Sequence, residues 1–196
     1  FLHIGENNFV RKNLKRLGEA FEQAKYSQSA SKFNHNLIIA GKHYPSIENE
    51  LSKIGGIYFL DWISDDDLLQ IIQGADAFFL PSIHEGFGMP LVESMACGVP
   101  CVSTNRHAPP EVLSDSGILV DPYDVNSIAN SMIKLDQDKK MLQDLSEKSL
   151  IRGQYFSWKK NAEEIFKLYG VDASKPMENF EKHYHLSAYR TLVSVC

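Results

Sequence analysis

The sequence predicts a single α/β domain with a doubly wound, parallel, six-stranded sheet of the Rossmann-like type. The first observation is a set of six short apolar runs, at residues 1–4, 37–40, 57–60, 77–80, 100–103 and 118–120. The runs do not alternate between apolar and polar residues, which is typical of strands buried on both faces. Segments with helical spacing separate most of them, as parallel strands require. The length of 196 residues, 43% of them hydrophobic, suffices for one sizeable core.

The helical segments follow the strands in order. Four apolar residues at helical spacing predict an amphipathic helix over residues 12–28: Leu14, Leu17, Phe21 and Ala24. The second connection, between residues 41 and 55, keeps this spacing only briefly and predicts a short element. Ser64 and Asp67 form a variant of the capping box and predict a helix start before the fourth strand.

The last third of the chain is predicted to be mostly helical. Three helical segments follow Asp124, and we expect them to cover the sheet and its edge. The pattern breaks at about residue 170. We therefore assign residues 1–169 to the domain and leave residues 170–196 as a C-terminal tail with no assigned structure.

The predicted topology brings two distant loops together. In a doubly wound sheet with the order 3-2-1-4-5-6, strands one and four are neighbours, and ligands bind beyond their carboxyl ends. This places the segment GENNFVRKN opposite the segment PSIHEGFG. Arg11 and Lys12 of the first segment could neutralise a diphosphate there. A basic run at a helix start is, however, also typical of a solvated face.

The residues after the fourth strand are the strongest candidates for a binding site. Glu85 is followed by Gly86 and Gly88, whose missing Cβ atoms let backbone amides approach a ligand. Pro90 suits the first turn of a helix, and a helix N-terminus favours phosphate. Glu93 lies one turn further on, in an apolar segment. Two interpretations stay open: both acids face one crevice and accept sugar hydroxyls, or both are merely stabilised near a helix N-terminus.

Composition and missing motifs argue against several classes of protein. The formal net charge of −5 argues against a general nucleic-acid binder. No apolar run is long enough to cross a bilayer and no signal-peptide pattern opens the chain, so we expect a cytoplasmic protein. The three cysteines form neither a disulfide framework nor a zinc pattern, and we assign no metal. Gly5 is followed by Glu6 instead of a glycine-rich fingerprint, which disfavours NAD.

The same residues carry a family resemblance. The run HEGFGMPLVESMACGVPCV resembles the E-x7-E signature of retaining nucleotide-sugar glycosyltransferases with the GT-B fold, the group called glycosyl transferases group 1. The resemblance extends from about residue 1 to residue 169. It includes RKN near the start, the LIIAG strand, the PSIHEGFG loop and PPEVLSDSGILVDPYD. It implies the nucleotide-sugar-binding half of a GT-B enzyme.

The resemblance also implies roles for individual residues. It assigns Lys12 and Glu85 to catalysis, with Lys12 and Arg11 on the leaving diphosphate and Glu85 on the donor sugar. Glu93 would accept the ribose hydroxyls. The complete substrate-binding set is Arg11, Lys12, Glu85, Gly86, Phe87, Gly88, Met89 and Glu93. The sequence departs from the family at Glu6, where an Arg is common.

The implied reaction moves a hexose from a nucleotide-diphosphate sugar, GDP-mannose or a UDP-hexose, to an acceptor hydroxyl with retention, in polysaccharide or glycolipid synthesis. It needs no cofactor and no metal. The implied partners are the nucleotide sugar and a missing N-terminal acceptor domain, and peripheral membrane association through that missing half is left open. The isolated domain is expected to be inactive. Two alternatives remain: a non-catalytic nucleotide-sugar-binding module, and a GT-B-fold sugar-nucleotide 2-epimerase, which the EGFG phrase matches less well.

Overall fold

The protein is described here from a computed structural model. The structure describes residues 1–5, 9–27, 33–42 and 45–170. Glu6 and all but the first residue of the predicted tail lie outside the described residues.

A parallel sheet of six strands forms the centre of the molecule. The strands are β1 (Leu2–Ile4), β2 (Leu37–Ala40), β3 (Ile57–Leu60), β4 (Phe78–Leu80), β5 (Cys101–Thr104) and β6 (Gly117–Val120). Their spatial order is β3-β2-β1-β4-β5-β6, and every pairing is parallel. This confirms the predicted fold class and the strand order, with the switch point between β1 and β4.

Helices connect the strands and cover both faces of the sheet. Within the described ranges they are α1 (Phe9–Lys12), α2 (Leu14–Lys25), α3 (Pro45–Leu51), α4 (Asp65–Gln73), α5 (Met89–Ala96), α6 (Pro109–Leu113), α7 (Val125–Gln137), α8 (Lys139–Gly153) and α9 (Trp158–Leu168). The predicted cap of α4 is present, because Oγ of Ser64 accepts a hydrogen bond from the Asp67 amide at 3.2 Å.

The core consists of one apolar layer on each face of the sheet. Phe78 and Phe79 are neighbours in β4 and both fully buried, but they belong to opposite layers because side chains alternate along a strand. The layer around Phe79 includes Phe21 of α2, and α7 packs on that helix. The layer around Phe78 includes Leu91 of α5, over which α8 packs.

The predicted helix over residues 12–28 is interrupted in the structure. Residue Asn13 separates α1 from α2 and adopts a left-handed backbone conformation, with φ 62° and ψ 32°. A residue in this conformation cannot continue a right-handed helix, and asparagine tolerates it better than most residues do. The apolar stripe of α2 was predicted correctly, but the helix start at Lys12 was wrong.

The last helix also differs from the expectation. We expected the three helices after Asp124 to cover the sheet, but α9 has no buried residue. Its large apolar side chains include Trp158, which is 52% exposed, and Leu168, which is 85% exposed. An amphipathic pattern identifies a helix, but it does not identify the surface on which that helix packs. None of the described helices combines the length and the apolar character that a membrane-spanning segment needs.

Candidate functional site

Two loops meet beyond the carboxyl ends of β1 and β4, as the topology predicted. The first is formed by α1 and Asn13, and the second by residues 81–88 after β4. The backbone amide of Ile83 donates a hydrogen bond to the carbonyl of Arg11 at 2.8 Å. Since the strands below are neighbours, with Leu2 paired to Phe78, the sheet fixes the relative position of the two loops.

A buried ion pair joins the two loops. The Nζ atom of Lys12 donates to Oε1 of Glu85 at 2.7 Å, and the two side chains are only 8% and 7% exposed. Ser82 donates its hydroxyl to the same oxygen at 2.8 Å. Arg11 places Nη1 3.3 Å from Oε2 of Glu85 and also donates to the carbonyl of His84. The contacts of Lys12 and Ser82 with Glu85 are buried, and charged hydrogen bonds that are shielded from water are strong, so they hold Glu85 in one orientation.

These contacts determine the ionisation of Glu85. Burial by itself would raise the pKa of this carboxyl group, since the charged form loses its hydration. The hydrogen bond and charge of Lys12, with the Ser82 hydroxyl and the Arg11 charge, outweigh burial and hold the pKa below its usual range. Glu85 is therefore a carboxylate at neutral pH. Lys12 and Arg11 each carry one positive charge and Glu85 carries one negative charge, so these three side chains have one net positive charge.

Asn13 is a site residue that the sequence analysis did not assign. Its side chain is buried, and Nδ2 donates to the carbonyls of Pro81 at 3.0 Å and Pro122 at 2.6 Å. Its Oδ1 atom accepts from Nη1 of Arg16 at 3.0 Å. Asn13 thus connects the segment that carries Lys12 to the loops after β4 and β6. The available signal was an asparagine within an otherwise helical pattern, directly after two basic residues.

Two glycines lie in the segment between Glu85 and Glu93. Gly88 precedes α5 with φ +93°, and a Cβ at this position would come 2.9 Å from Cδ1 of Leu91. Gly86 differs, because within the described ranges no residue other than Gly86 and its two chain neighbours has an atom within 4 Å of the position that its Cβ would take. Pro90 occupies the first turn of α5, as predicted. The backbone at Gly86 is therefore open to a ligand, whereas Gly88 is required by its own conformation.

Glu93 lies on α5 in surroundings unlike those of Glu85. The residue is half-buried, and no described residue donates a hydrogen bond to its carboxylate. Burial, with the nearby negative charge of Asp65 at the start of α4, raises the pKa of Glu93 above its usual value. A partly desolvated acid of this kind gains from a ligand that can donate hydrogen bonds.

A cavity of about 440 Å³ lies beside Glu93, between α5 and the start of α9. Its wall is largely apolar and aromatic, and includes Phe87, Met89, Val92, Tyr155, Phe156 and Trp158. Phe87 and Phe156 form an edge-to-face pair with ring centroids 5.7 Å apart. The structure therefore brings the predicted residues Phe87, Met89 and Glu93 together on this cavity. Arg11, Lys12 and Glu85 form the ion-paired cluster described above, and the ligand-binding roles of both groups remain predictions.

The described residues offer no ready metal site. In that part of the chain, no group of three or more His, Cys, Asp or Glu side chains could hold an ion. His84, next to Glu85, packs edge to face on His107 with ring centroids 4.2 Å apart.

Sequence comparisons identify relatives of the chain. Residues 2–151 match the family described as glycosyl transferases group 1. O-antigen chain mannosyltransferase B of Escherichia coli is 32% identical over 165 residues, which are 80% of this chain and 42% of that protein. Serotype-specific mannosyltransferase WbdA of Escherichia coli is 33% identical over 134 residues, which are 64% of this chain and 16% of that protein.

Solved structures share the fold. Anabaena HepE, in complex with UDP and glucose, has a TM-score of 0.73 at 18% identity, over 86% of this chain and 47% of that chain. The sucrose-phosphate synthase of Thermosynechococcus elongatus has a TM-score of 0.72 at 23% identity, over 86% of this chain and 44% of that chain. The chain thus spans less than half the length of these relatives. With the match covering most of its length, this chain belongs to the glycosyl transferases group 1 family.

Proposed function

We propose that the chain is the donor-binding part of a retaining glycosyltransferase, which moves a hexose from a nucleoside diphosphate sugar to an acceptor hydroxyl in polysaccharide or glycolipid synthesis. The observation that carries the proposal is the buried ion pair of Lys12 and Glu85 at the switch point, together with the half-exposed Arg11 that also contacts Glu85. Open α/β sheets bind their ligands at this place, and the net charge of the cluster suits an anion. Retention is proposed from the resemblance of the E-x7-E signature alone.

Lys12 can bind a diphosphate without leaving Glu85. An ammonium group has three N–H donors, and the contact with Glu85 uses one of them. As the bond between the sugar and the diphosphate breaks, negative charge grows on the leaving group. A cation that is already oriented and shielded from water stabilises this charge at little reorganisation cost. Lys12 would therefore act mainly in the transition state, and Glu85, held by Lys12 and Ser82, would orient the sugar.

Glu93 would hold the ribose. Its carboxylate lacks a donor among the described residues, and two vicinal hydroxyl groups would supply two. This contact is common to a nucleoside diphosphate and to its sugar derivative. Glu85 instead contacts only the transferred sugar, so the two acids should respond differently to mutation.

GDP-mannose is the proposed donor. The two relatives that are 32% and 33% identical are named as an O-antigen chain mannosyltransferase and a serotype-specific mannosyltransferase. HepE, which is 18% identical, is named in complex with UDP and glucose, so UDP-glucose is the appropriate competitor in a test. The acceptor would be bound by a second domain, because the chain spans only part of its relatives.

Calorimetry of the chain with GDP, GDP-mannose, UDP and UDP-glucose tests donor binding. Glu93→Ala should weaken GDP and GDP-mannose alike, by about 1 to 3 kcal/mol, which is roughly a 5- to 150-fold rise in Kd. Glu85→Ala should leave the Kd for GDP unchanged and raise the Kd for GDP-mannose. Lys15→Ala and Glu50→Ala are matched controls, because these residues form an exposed ion pair at 2.9 Å and should leave both affinities unchanged.

Transfer is tested in the full-length enzyme with radiolabelled donor. Lys12→Ala should lower kcat more than either acid variant, because it acts on charge that develops in the transition state. The chain by itself should bind donor without transferring sugar. If none of the four nucleotides binds, or if Glu93→Ala lowers the melting temperature without changing Kd for GDP, the proposed donor site is wrong.

A further inference from the structure

His3 lies directly beneath the donor cluster and has no role in the function proposed above. It is in the middle of β1 and only 1% exposed. Its Nδ1 atom is 2.8 Å from the carbonyl oxygen of Phe79 on β4. A carbonyl oxygen can only accept, so Nδ1 carries the proton in this contact. In the neutral ring the other nitrogen, Nε2, is then a bare acceptor.

The Nε2 atom is buried and has no hydrogen-bond partner among the described residues. It points toward Gly5 and Lys12: a Cβ built on Gly5 would lie 3.2 Å from Nε2 and 3.2 Å from Cε of Lys12. The imidazole, the backbone at the end of β1 and the lysine side chain therefore surround one small region. An unpaired buried acceptor is costly, so its position at the floor of a binding site needs a physical reason.

Few charged groups act on this ring. Burial is the main reason why the pKa of His3 falls from 6.5 to about 4; the hydrogen bond from Nδ1 to Phe79 opposes burial, Lys12 lowers the pKa further, and Glu85 raises it. On the other side of β1, the register partner of His3 is the apolar Ile39 of β2. In the described part of the chain, Lys12 from α1 and Glu85 from the loop after β4 are thus the charges that control His3.

Donor binding reverses the charge of these surroundings. Lys12, Arg11 and Glu85 together carry one positive charge, which disfavours a second cation at His3. A nucleotide sugar brings two ionised phosphates, after which the same groups carry one net negative charge. Because charges interact strongly where water is excluded, this change should stabilise a proton on the ring.

We propose that His3 is a positioning residue of the donor site, whose Nε2 takes up a proton when a nucleotide sugar binds beside Lys12. The proposal rests on the proposed function, because it needs a diphosphate at this cluster. The protonated ring gives the buried region between Gly5 and Lys12 a donor in place of a bare lone pair. In mild acid, where the ring is then protonated, it also adds a positive charge to a site that the two phosphates would otherwise leave with one net negative charge.

The ring itself supplies the direct test. The chain is titrated by ¹⁵N and ¹³C NMR of its histidine rings, with and without saturating GDP-mannose, and with UDP-glucose as a second ligand. Without ligand, His3 should stay neutral to about pH 4, as a ring with a protonated Nδ1. With ligand, its pKa should rise by about one unit or more, which corresponds to at least tenfold tighter binding to the protonated form. His35, which contacts Asp76 and Asp136, is an internal control whose ring signals should not respond to the ligand.

Calorimetry near pH 5.5 in buffers of different ionisation enthalpy counts the protons. A nucleotide sugar lacks the terminal phosphate that titrates at about pH 6, so uptake has to come from the protein. The wild-type chain should take up part of a proton at His3 for each ligand bound, and comparison with a variant that lacks this ring separates the uptake from protons that Glu93, with its raised pKa, releases when it accepts hydrogen bonds from the ligand. His3→Asn can keep a donor for the Phe79 carbonyl but does not titrate, and it should lose this uptake, while His35→Asn should retain it.

The possible outcomes separate the two ideas. If GDP-mannose or UDP-glucose binds and the pKa of His3 does not change, the proton coupling is wrong and the donor site stands. If the pKa rises but His3→Asn takes up as many protons as the wild type, the uptake belongs to another group and the proposal fails. If neither nucleotide sugar binds, the proposed function fails together with this inference. The NMR result needs no variant, so it holds even if His3→Asn does not fold.

Discussion

Replacing Lys12 by methionine tests whether the site depends on a buried ion pair. The substitution keeps the apolar stem of the side chain and removes the charge that lies 2.7 Å from Glu85. Removing one partner of a buried pair typically costs about 3 to 5 kcal/mol, because the other charge stays buried without compensation. Here Ser82 and Arg11 remain within reach of Glu85. We therefore expect the lower end, about 3 kcal/mol in the free energy of unfolding at pH 7.

A double-mutant cycle by urea denaturation separates the pair from other effects of the mutation. The double variant Lys12→Met/Glu85→Gln should be more stable by about 2 kcal/mol than the sum of the two single changes predicts, because neither charge of the buried pair remains. Lys15→Met is the matched control: Lys15 and Glu50 lie 2.9 Å apart, but their side chains are 60% and 50% exposed. That change should cost far less than Lys12→Met, because solvent screens an exposed pair. Equal costs for Lys12→Met and Lys15→Met would refute the argument from burial.

The pair also predicts how stability depends on pH. The pKa of Glu85 is lower in the folded than in the unfolded chain, so the unfolded chain binds more protons in acid. The contribution of Glu85 to the free energy of unfolding is complete at a pH above its pKa in the unfolded chain, which is about 4.3. It disappears as the pH falls through the pKa of the folded chain. The difference in the free energy of unfolding between the wild type and Lys12→Met should therefore become small in strong acid. A constant difference between pH 7 and strong acid would contradict this linkage.

Three further predictions concern the surroundings of the pair. Gly86→Ala should leave the melting temperature unchanged but weaken nucleotide-sugar binding measured by calorimetry, whereas Gly88→Ala should destabilise the fold because of its positive φ. Asn13→Gly should cost about 1 to 3 kcal/mol in urea denaturation through its lost hydrogen bonds, and Asn13→Ala should cost more because alanine disfavours the left-handed conformation. Glu93→Gln should raise the free energy of unfolding at pH 7, since the raised pKa shows that the fold disfavours the charge, and should still weaken GDP binding.

The sheet was predictable from the sequence because each strand carries its own signal. A strand buried on both faces has to be a short apolar run, and parallel order requires crossover helices, so the runs and the spacings were sufficient. The strand order predicted that the segments carrying Lys12 and Glu85 lie opposite each other, but it did not predict the ion pair between them. The family resemblance assigned the same two residues independently.

The interruption at Asn13 and the exposure of α9 could not be predicted in the same way. Asn13 leaves the helical conformation because carbonyl groups of two distant loops, at Pro81 and Pro122, bind its side chain. Residues 12–28 contain no sign of those partners. Similarly, the pattern of α9 shows that one face is apolar, but what that face contacts depends on other surfaces. At Asn13, tertiary contacts override the local helix propensity. For α9, the local sequence contains no information about the tertiary contacts of the helix.

The two acids of the signature show how one residue type can serve two purposes at one site. Glu85 is surrounded by donors, so its charge and orientation are fixed before any ligand arrives. Glu93, eight positions later, has a raised pKa and no described donor, so the folded chain carries a cost at this residue. A ligand that donates two hydroxyl groups removes that cost, and binding energy gained in this way comes on top of the new hydrogen bonds. At equal concentration of free donor, binding should therefore stabilise the wild-type chain against heat more than it stabilises Glu93→Gln, because the wild type has the lower Kd. In the proposed donor site, the signature would combine a rigid group that orients the sugar with an acid that gains hydrogen-bond donors only when a ligand binds.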